Sequence, residues 1–396
     1  MRRLWTAAGL ASLALLSCGG SGGSGAYSGH VLSFGAILSL TGPGGVYGIG
    51  SKNGINLALT QINDRGGVLG ARINVQIEDD GSIRATSTAD LNSLLATKPA
   101  PLALLGPTLS NSAVAVQPLA NRAGVPIIGI SDTGNHLVPD CNYPDPTPCP
   151  YVFRDSLGEA AAIPASIAAW QAAHHARTGV LLVASDDKFS ADGGAIVSAI
   201  APQYGIQLLG TIDFSKNASD LGPYVRQALA LKPEVIFITS LGNLPAEIMV
   251  QARALGFQGE FLGGNGFNTA QVSAQAGPAG LGAQSGSAWY LGNASPANRA
   301  FVSAYQTAYG QDPDQFAAQG YAAVQILAQA ASRAHLRFTD PAQDRNRLRT
   351  ALAGVDVQTP LGRFRFTSAH DVRQTIWLIQ MDGKGGFKLV GSAPPV

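Results

Sequence analysis

Charge is scarce in this chain. Only 13% of its 396 residues are Asp, Glu, Lys or Arg, and they nearly cancel, leaving a net charge of +1. A nucleic-acid surface or a polybasic membrane patch needs clustered Lys and Arg, so neither is expected. Cysteine is rarer still, at three residues, with no histidine or further cysteine at metal-ligand spacing. A phosphate cradle of the form G-x-x-x-x-G-K-[ST] is missing. The six histidines are scattered as His30, His136, His174, His175, His335 and His370. None flanks a strand end expected beside a reactive serine, so an exported hydrolase with nucleophile, base and orienting acid is disfavoured. No cofactor and no metal site is expected.

Long apolar runs are missing too. Leu4 to Leu16 is apolar but too short to span a bilayer, and it follows Arg2-Arg3, which reads as a secretory signal over residues 1–17. Leu15-Leu16-Ser17-Cys18 looks like a bacterial lipobox, with Cys18 as the lipidated first mature residue. An ordinary signal with an incidental cysteine is the alternative. Residues 18–29, rich in Gly and Ser, suit a flexible tether. GGSGG and GSGGSG in this stretch match a hydrolase elbow and a dinucleotide loop only formally, because neither joins a strand to a helix. An exported chain meets an oxidising compartment, so Cys141 and Cys149, flanking a proline-rich loop, are expected to form a disulfide rather than stay free thiols.

What the chain does have is length for two or three units and a hydrophobic share of 46%, enough for substantial cores. From His30 two periods alternate. VLSFGAIL reads as a buried strand, SKNGINLALTQIND as a helix with Ile55, Leu59 and Ile62 on one face, and RINVQIEDD as a strand. The rhythm continues to VPIIGIS, breaks at the prolines of 139–150, and restarts at YVFRDS for a second unit. This pattern predicts an α/β fold, with two doubly wound parallel-sheet lobes joined by a multi-strand hinge. We assign residues 30–153 with 284–356 to the first lobe, and 154–283 with 357–396 to the second. GPTLSNS, residues 106–112, lies between a strand and a helix. Taken alone, its Ser110 suits either a nucleophile or a ligand cradle.

Leu40-Thr41-Gly42-Pro43, Tyr47-Gly48, Asn63 to Gly70 and Glu78-Asp79-Asp80, followed in order by GPTLSNS, VPIIGIS, YVFRDS, SDDKFSADGG, QARALGF and FLGGNGF, resemble type I periplasmic binding proteins. Within these the chain is most similar to the leucine/isoleucine/valine-binding receptors of ABC transporters. The resemblance implies that Ser110 holds a ligand carboxylate, that Ser131 and Thr133 add contacts to it, and that Tyr47 and Phe189 line the cleft. Glu159 sits near a position that is acidic in amino-acid binders, although a carboxylate in a first helical turn also serves the helix dipole. Asn265 stands where those relatives place a carboxylate for the ligand ammonium. An amide carries no charge, so a free α-amino group would need Glu159 or Asp132 to supply it.

The function so implied is a lipid-anchored extracytoplasmic receptor, a monomer, facing the periplasm or cell exterior from the cell or outer membrane. It would capture an amino acid, amide or small carboxylate and dock on an ABC permease with its ATPase. A sensor of the same fold, signalling to a membrane partner, is the alternative.

Overall fold

Val31–Leu38 (β1) is an apolar strand, buried along most of its length, one place in from the edge of the first sheet. Gly45–Asp64 (α1), Arg72–Asp79 (β2), Arg84–Ala96 (α2), Leu104–Leu105 (β3), Ser110–Arg122 (α3), Ile127–Gly129 (β4) and Val152–Arg154 (β5) follow. All five strands run parallel, in the order β2-β1-β3-β4-β5. Parallel neighbours need a crossover, which is why strand and helix periods alternate along the chain. The computed structural model describes residues 25–145 and 147–394. The signal, the lipidation motif at Cys18 and most of the tether lie outside the described residues.

The second unit repeats the plan. Its elements are Glu159–His174 (α4), Thr178–Val183 (β6), Lys188–Ile200 (α5), Gln207–Asp213 (β7), Gly222–Ala230 (α6), Val235–Thr239 (β8), Leu244–Ala254 (α7), Glu260–Gly263 (β9), Ala270–Ala276 (α8) and Gln284–Ser287 (β10). Pro296–Tyr309 (α9), Gln315–Arg333 (α10), Pro341–Ala353 (α11), Val357–Thr359 (β11), Gly362–Phe364 (β12), Ile376–Met381 (β13) and Phe387–Ala393 (β14) complete the chain. The second sheet is ordered β14-β13-β10-β9-β8-β6-β7, antiparallel only at β13 and β14. No helix among the described residues is long and apolar enough to cross a membrane.

The tail divides between the lobes. α10 packs on α1 so closely that a Cβ at Gly54 would stand 2.0 Å from the Ala317 carbonyl oxygen, and one at Gly320 2.3 Å from that of Ser51. Leu32, Ile55, Phe301, Leu327 and Phe364 share the core beneath them. β10 pairs with β9 and β13, so it stays with the second sheet, although the expected return to the first lobe began at 284. Phe364, Phe366 and Val372 remain in the first core, so the final passage falls just before β13 rather than at 357. Short strands such as VQT and GRF have no period long enough to reveal which sheet they serve.

Two of the passages between lobes are tied together. The Arg154 amide donates to the His370 carbonyl at 3.0 Å. The Arg154 guanidinium grips Asp371 through Nε at 2.9 Å and Nη2 at 2.5 Å, a forked geometry that favours one orientation of both segments. Cys141 and Cys149 are joined as expected, with Cα atoms 5.9 Å apart.

Candidate ligand-binding cleft

In open α/β sheets ligands sit beyond the C-terminal strand ends, where strand order reverses. Here those ends face each other. From the first lobe come Tyr47 on α1, Ser110 at the start of α3, and the loop after β4 carrying Ser131. From the second come Phe189 in the first turn of α5, and Asn265 and Gly266 after β9. These residues, with Phe316 in the first turn of α10, line one cavity. Its walls close to leave room for little more than a single water.

Ser110 opens α3. The N-cap position is Leu109, whose side chain cannot cap. The Ser110 and Asn111 amides have no backbone partner among the described residues. A helix start with free N–H groups and its positive dipole end favours an anion. The Ser110 hydroxyl accepts from the Gly134 amide at 3.1 Å, and no histidine bonds to it, so the serine is not poised as a nucleophile. Ser131 donates its hydroxyl to the Thr108 carbonyl, which braces the same loop.

Thr133 and Glu159 come together behind the cavity and do not line it. The Thr133 hydroxyl donates to Glu159 Oε1 at 3.1 Å, and the Asn265 amide donates to the same oxygen at 2.8 Å. Glu159 Oε2 is buried without a partner, and a Cβ at Gly264 would stand 2.3 Å from it. Burial pushes Glu159 up to about 7, against the pull of the bonds from Asn265 and Thr133 and of Arg154. Asp132 is likewise fully buried and raised to about 7 by desolvation. It accepts from Gln117 and does not reach the cavity. The cavity wall therefore carries no carboxylate.

The orientation of Asn265 follows from its neighbours. Gln315 Oε1 must be the oxygen, because it accepts from the Ala288 amide at 2.8 Å. Gln315 Nε2 then donates to Asn265 Oδ1, leaving Asn265 Nδ2 as a free donor on the cavity wall. Gln315 and Phe316 were not foreseen from the sequence. They start a helix rather than follow a strand, and only the fold brings them to the cleft.

The lobes touch directly. The buried Tyr47 hydroxyl accepts from the Gly242 amide at 2.9 Å and donates to the Gly266 carbonyl at 3.1 Å. Asn111 Nδ2 donates to Asp187, and its Oδ1 accepts from the Lys188 amide at 2.9 Å. The Asn135 amide donates to Asp192 Oδ2 at 2.8 Å. These bonds draw the two halves shut around the cavity.

Residues 31–386 match the Periplasmic binding protein family. The chain belongs to that family. Its members are binding proteins, so this periplasmic binding protein stands with receptors rather than with enzymes, and membership implies an extracytoplasmic location. The substrate-binding protein BasB of a chemotactic signal transduction system in Halobacterium salinarum is 28% identical over 231 residues. That match covers 54% of this chain and 52% of BasB, so the chain spans about half the length of this curated relative. Among solved structures, the branched-chain amino acid transporter substrate-binding protein LivJ from Streptococcus pneumoniae, in complex with isoleucine, superposes with a TM-score of 0.80 at 23% identity. It covers 92% of this chain and 99% of its own. An ABC-transporter solute-binding protein from R. palustris in complex with benzoate gives a TM-score of 0.80 at 23% identity, covering 92% and 97%. At such identities the likeness carries the fold.

Proposed function

We propose that this periplasmic binding protein is a solute receptor of an ABC importer, tethered through lipidated Cys18, whose ligand is a small acid with an apolar body and no ammonium group. The observation that carries this reading is the donor pattern of the cavity. The free amides and hydroxyl at the start of α3 face one side, and Asn265 Nδ2 faces it from the other lobe. A carboxylate satisfies the first set, and a hydroxyl or carbonyl oxygen satisfies the second. Tyr47, Phe189 and Phe316 supply the apolar faces between them, an arrangement common in small-molecule sites, and the lobes part from the arrangement seen here to admit the ligand. An ammonium would meet no countercharge, since Glu159 and Asp132 lie behind the wall. The benzoate bound by the R. palustris protein is an acid of this type.

The test is a thermal-shift and calorimetric panel of benzoate, 4-hydroxybenzoate and aliphatic 2-hydroxy acids against leucine, isoleucine and valine. The acids lacking an amino group should give the larger stabilisation. Branched-chain amino acids giving the largest shifts would refute the ligand assignment. A sensory role is the second reading, favoured by the similarity to BasB. Loss of ligand uptake on deletion of the gene supports the importer, whereas intact uptake with loss of taxis supports the sensor.

A further inference from the structure

A second cavity, of about 110 Å³, lies beside the cleft on the same seam between the lobes. Ile379 on β13 and Phe387 on β14 wall it from the second sheet, Trp289 and Tyr290 wall it from the passage after β10, and Asp312 and Asp314 wall it from the segment just before α10, where the exposed Asp312 accepts from Gln306 Nε2 at 2.7 Å. The lining is mainly apolar. An apolar cavity of about 150 Å³ takes a benzene ring, so this one, open at one side, suits a body of ring size. Its only charged side chains are the two aspartates, and neither makes a salt bridge among the described residues. Asp314 caps α10 through Oδ1, which accepts from the Ala317 amide at 2.8 Å, and burial raises its carboxyl to about 6.

The two cavities share a polar partition. Gln315 lines the second, and its Nε2 donates to Asn265 of the first. Its Oε1 gathers the Ser287 hydroxyl at 2.6 Å and the Ala288 amide at 2.8 Å.

We propose that this cavity is a second ligand site, for a small organic cation with a ring-sized apolar body such as an arylalkylamine. The aspartates receive the ammonium and the aromatic wall receives the ring. Because both lobes form its walls, an occupant binds the arrangement seen here better than one in which the lobes part, and by linkage the two cavities bias one another through lobe closure. The amine site itself does not depend on the acid proposed for the first cavity.

Calorimetry on the purified chain tests this with phenethylamine as probe and 2-phenylethanol as its uncharged counterpart. Phenethylamine should bind saturably and at least tenfold more tightly than the alcohol. Asp314→Asn keeps a good helix cap and should weaken the amine tenfold or more. Ala270→Phe, at an exposed position on the cavity rim, should block the amine, while Ser110→Ala should leave its affinity within twofold. No saturable amine binding at millimolar concentration would overturn the proposal. So would equal binding of the alcohol, or an amine affinity lost in Ser110→Ala but kept in Asp314→Asn and Ala270→Phe. Failure of benzoate alone would count against the first-cavity reading and leave the amine result standing.

Discussion

Ser110 and Asn265 line the cavity from opposite lobes, and the role proposed for each can be tested singly. Ser110→Ala removes one hydroxyl beside an anion, which should weaken an acid ligand by about 1–3 kcal/mol; calorimetry showing unchanged affinity would remove Ser110 from the site. Asn265→Asp replaces a donor with a carboxylate. It should weaken acids about tenfold or more and admit amino acids, and a panel with unchanged preference would refute the role given to Nδ2. Glu159 makes a pH prediction. Its ordinary value is 4.5 and the folded value is about 7, so the native state holds an extra proton between those limits. Stability from this group is full below the lower value and is lost as pH rises through the upper one. Asp132, raised to about 7, acts with the same sign. The charged groups bearing on Glu159 are Arg154, which favours ionisation, and Asp192, which opposes it; burial outweighs both. The melting temperature should therefore fall between pH 5 and 7.5. Glu159→Gln should flatten that fall, and an equal slope in the variant would show that the proton resides elsewhere.

At the scale of elements, the contact of α1 with α10 joins the tail of the chain to the core of the first lobe. Both helices meet through glycine, at Gly54 and Gly320, with backbone against backbone. A helix would ordinarily gain from replacing glycine. Here Gly320→Val should destabilise by about 1–3 kcal/mol through overpacking, visible as a lowered denaturation midpoint; a stabilised variant would show that the helices part freely. The glycines were visible in the sequence, but their meaning was not, because nothing local marks which distant helix will touch them. The same limit hid β14, whose residues are mostly exposed or half-buried, and α8, with only seven residues. The central strands and longer helices were legible because each buries one consistent face, and hydrophobic period records that directly.

For the whole molecule the question is what holds the lobes together. Asn111 bonds to Asp187 and Lys188 across the cleft while its neighbour Ser110 faces the cavity. Asn111→Ala should therefore shift the population toward open forms without removing the Ser110 hydroxyl. Apparent affinity falls by the fraction of competent molecules, and a tenfold loss corresponds to about 1.4 kcal/mol. The expected signature is a larger radius of gyration in scattering without ligand, together with faster ligand release. Unchanged scattering and release would place closure on other contacts, such as Tyr47 with Gly242 and Gly266.

The linear order of residues was enough to expect two α/β units, the parallel strands of each, the paired cysteines, and the hydroxyl-bearing loops at strand ends; it did not show that β13 and β14 close the second sheet antiparallel. Those features are local, written in hydrophobic period and in the chemistry of turns. It was not enough to say which side chains the cleft would use. Thr133 and Glu159 bear the residue types of a binding site, yet folding turns them toward each other behind the wall, where burial favours a shared hydrogen bond. Phe316, from a helix far along the chain, takes a place at the cavity, and Gln315 beside it bonds to Asn265, because α10 returns to pack on α1. Contacts of that kind depend on how the lobes close, and only the tertiary arrangement settles them.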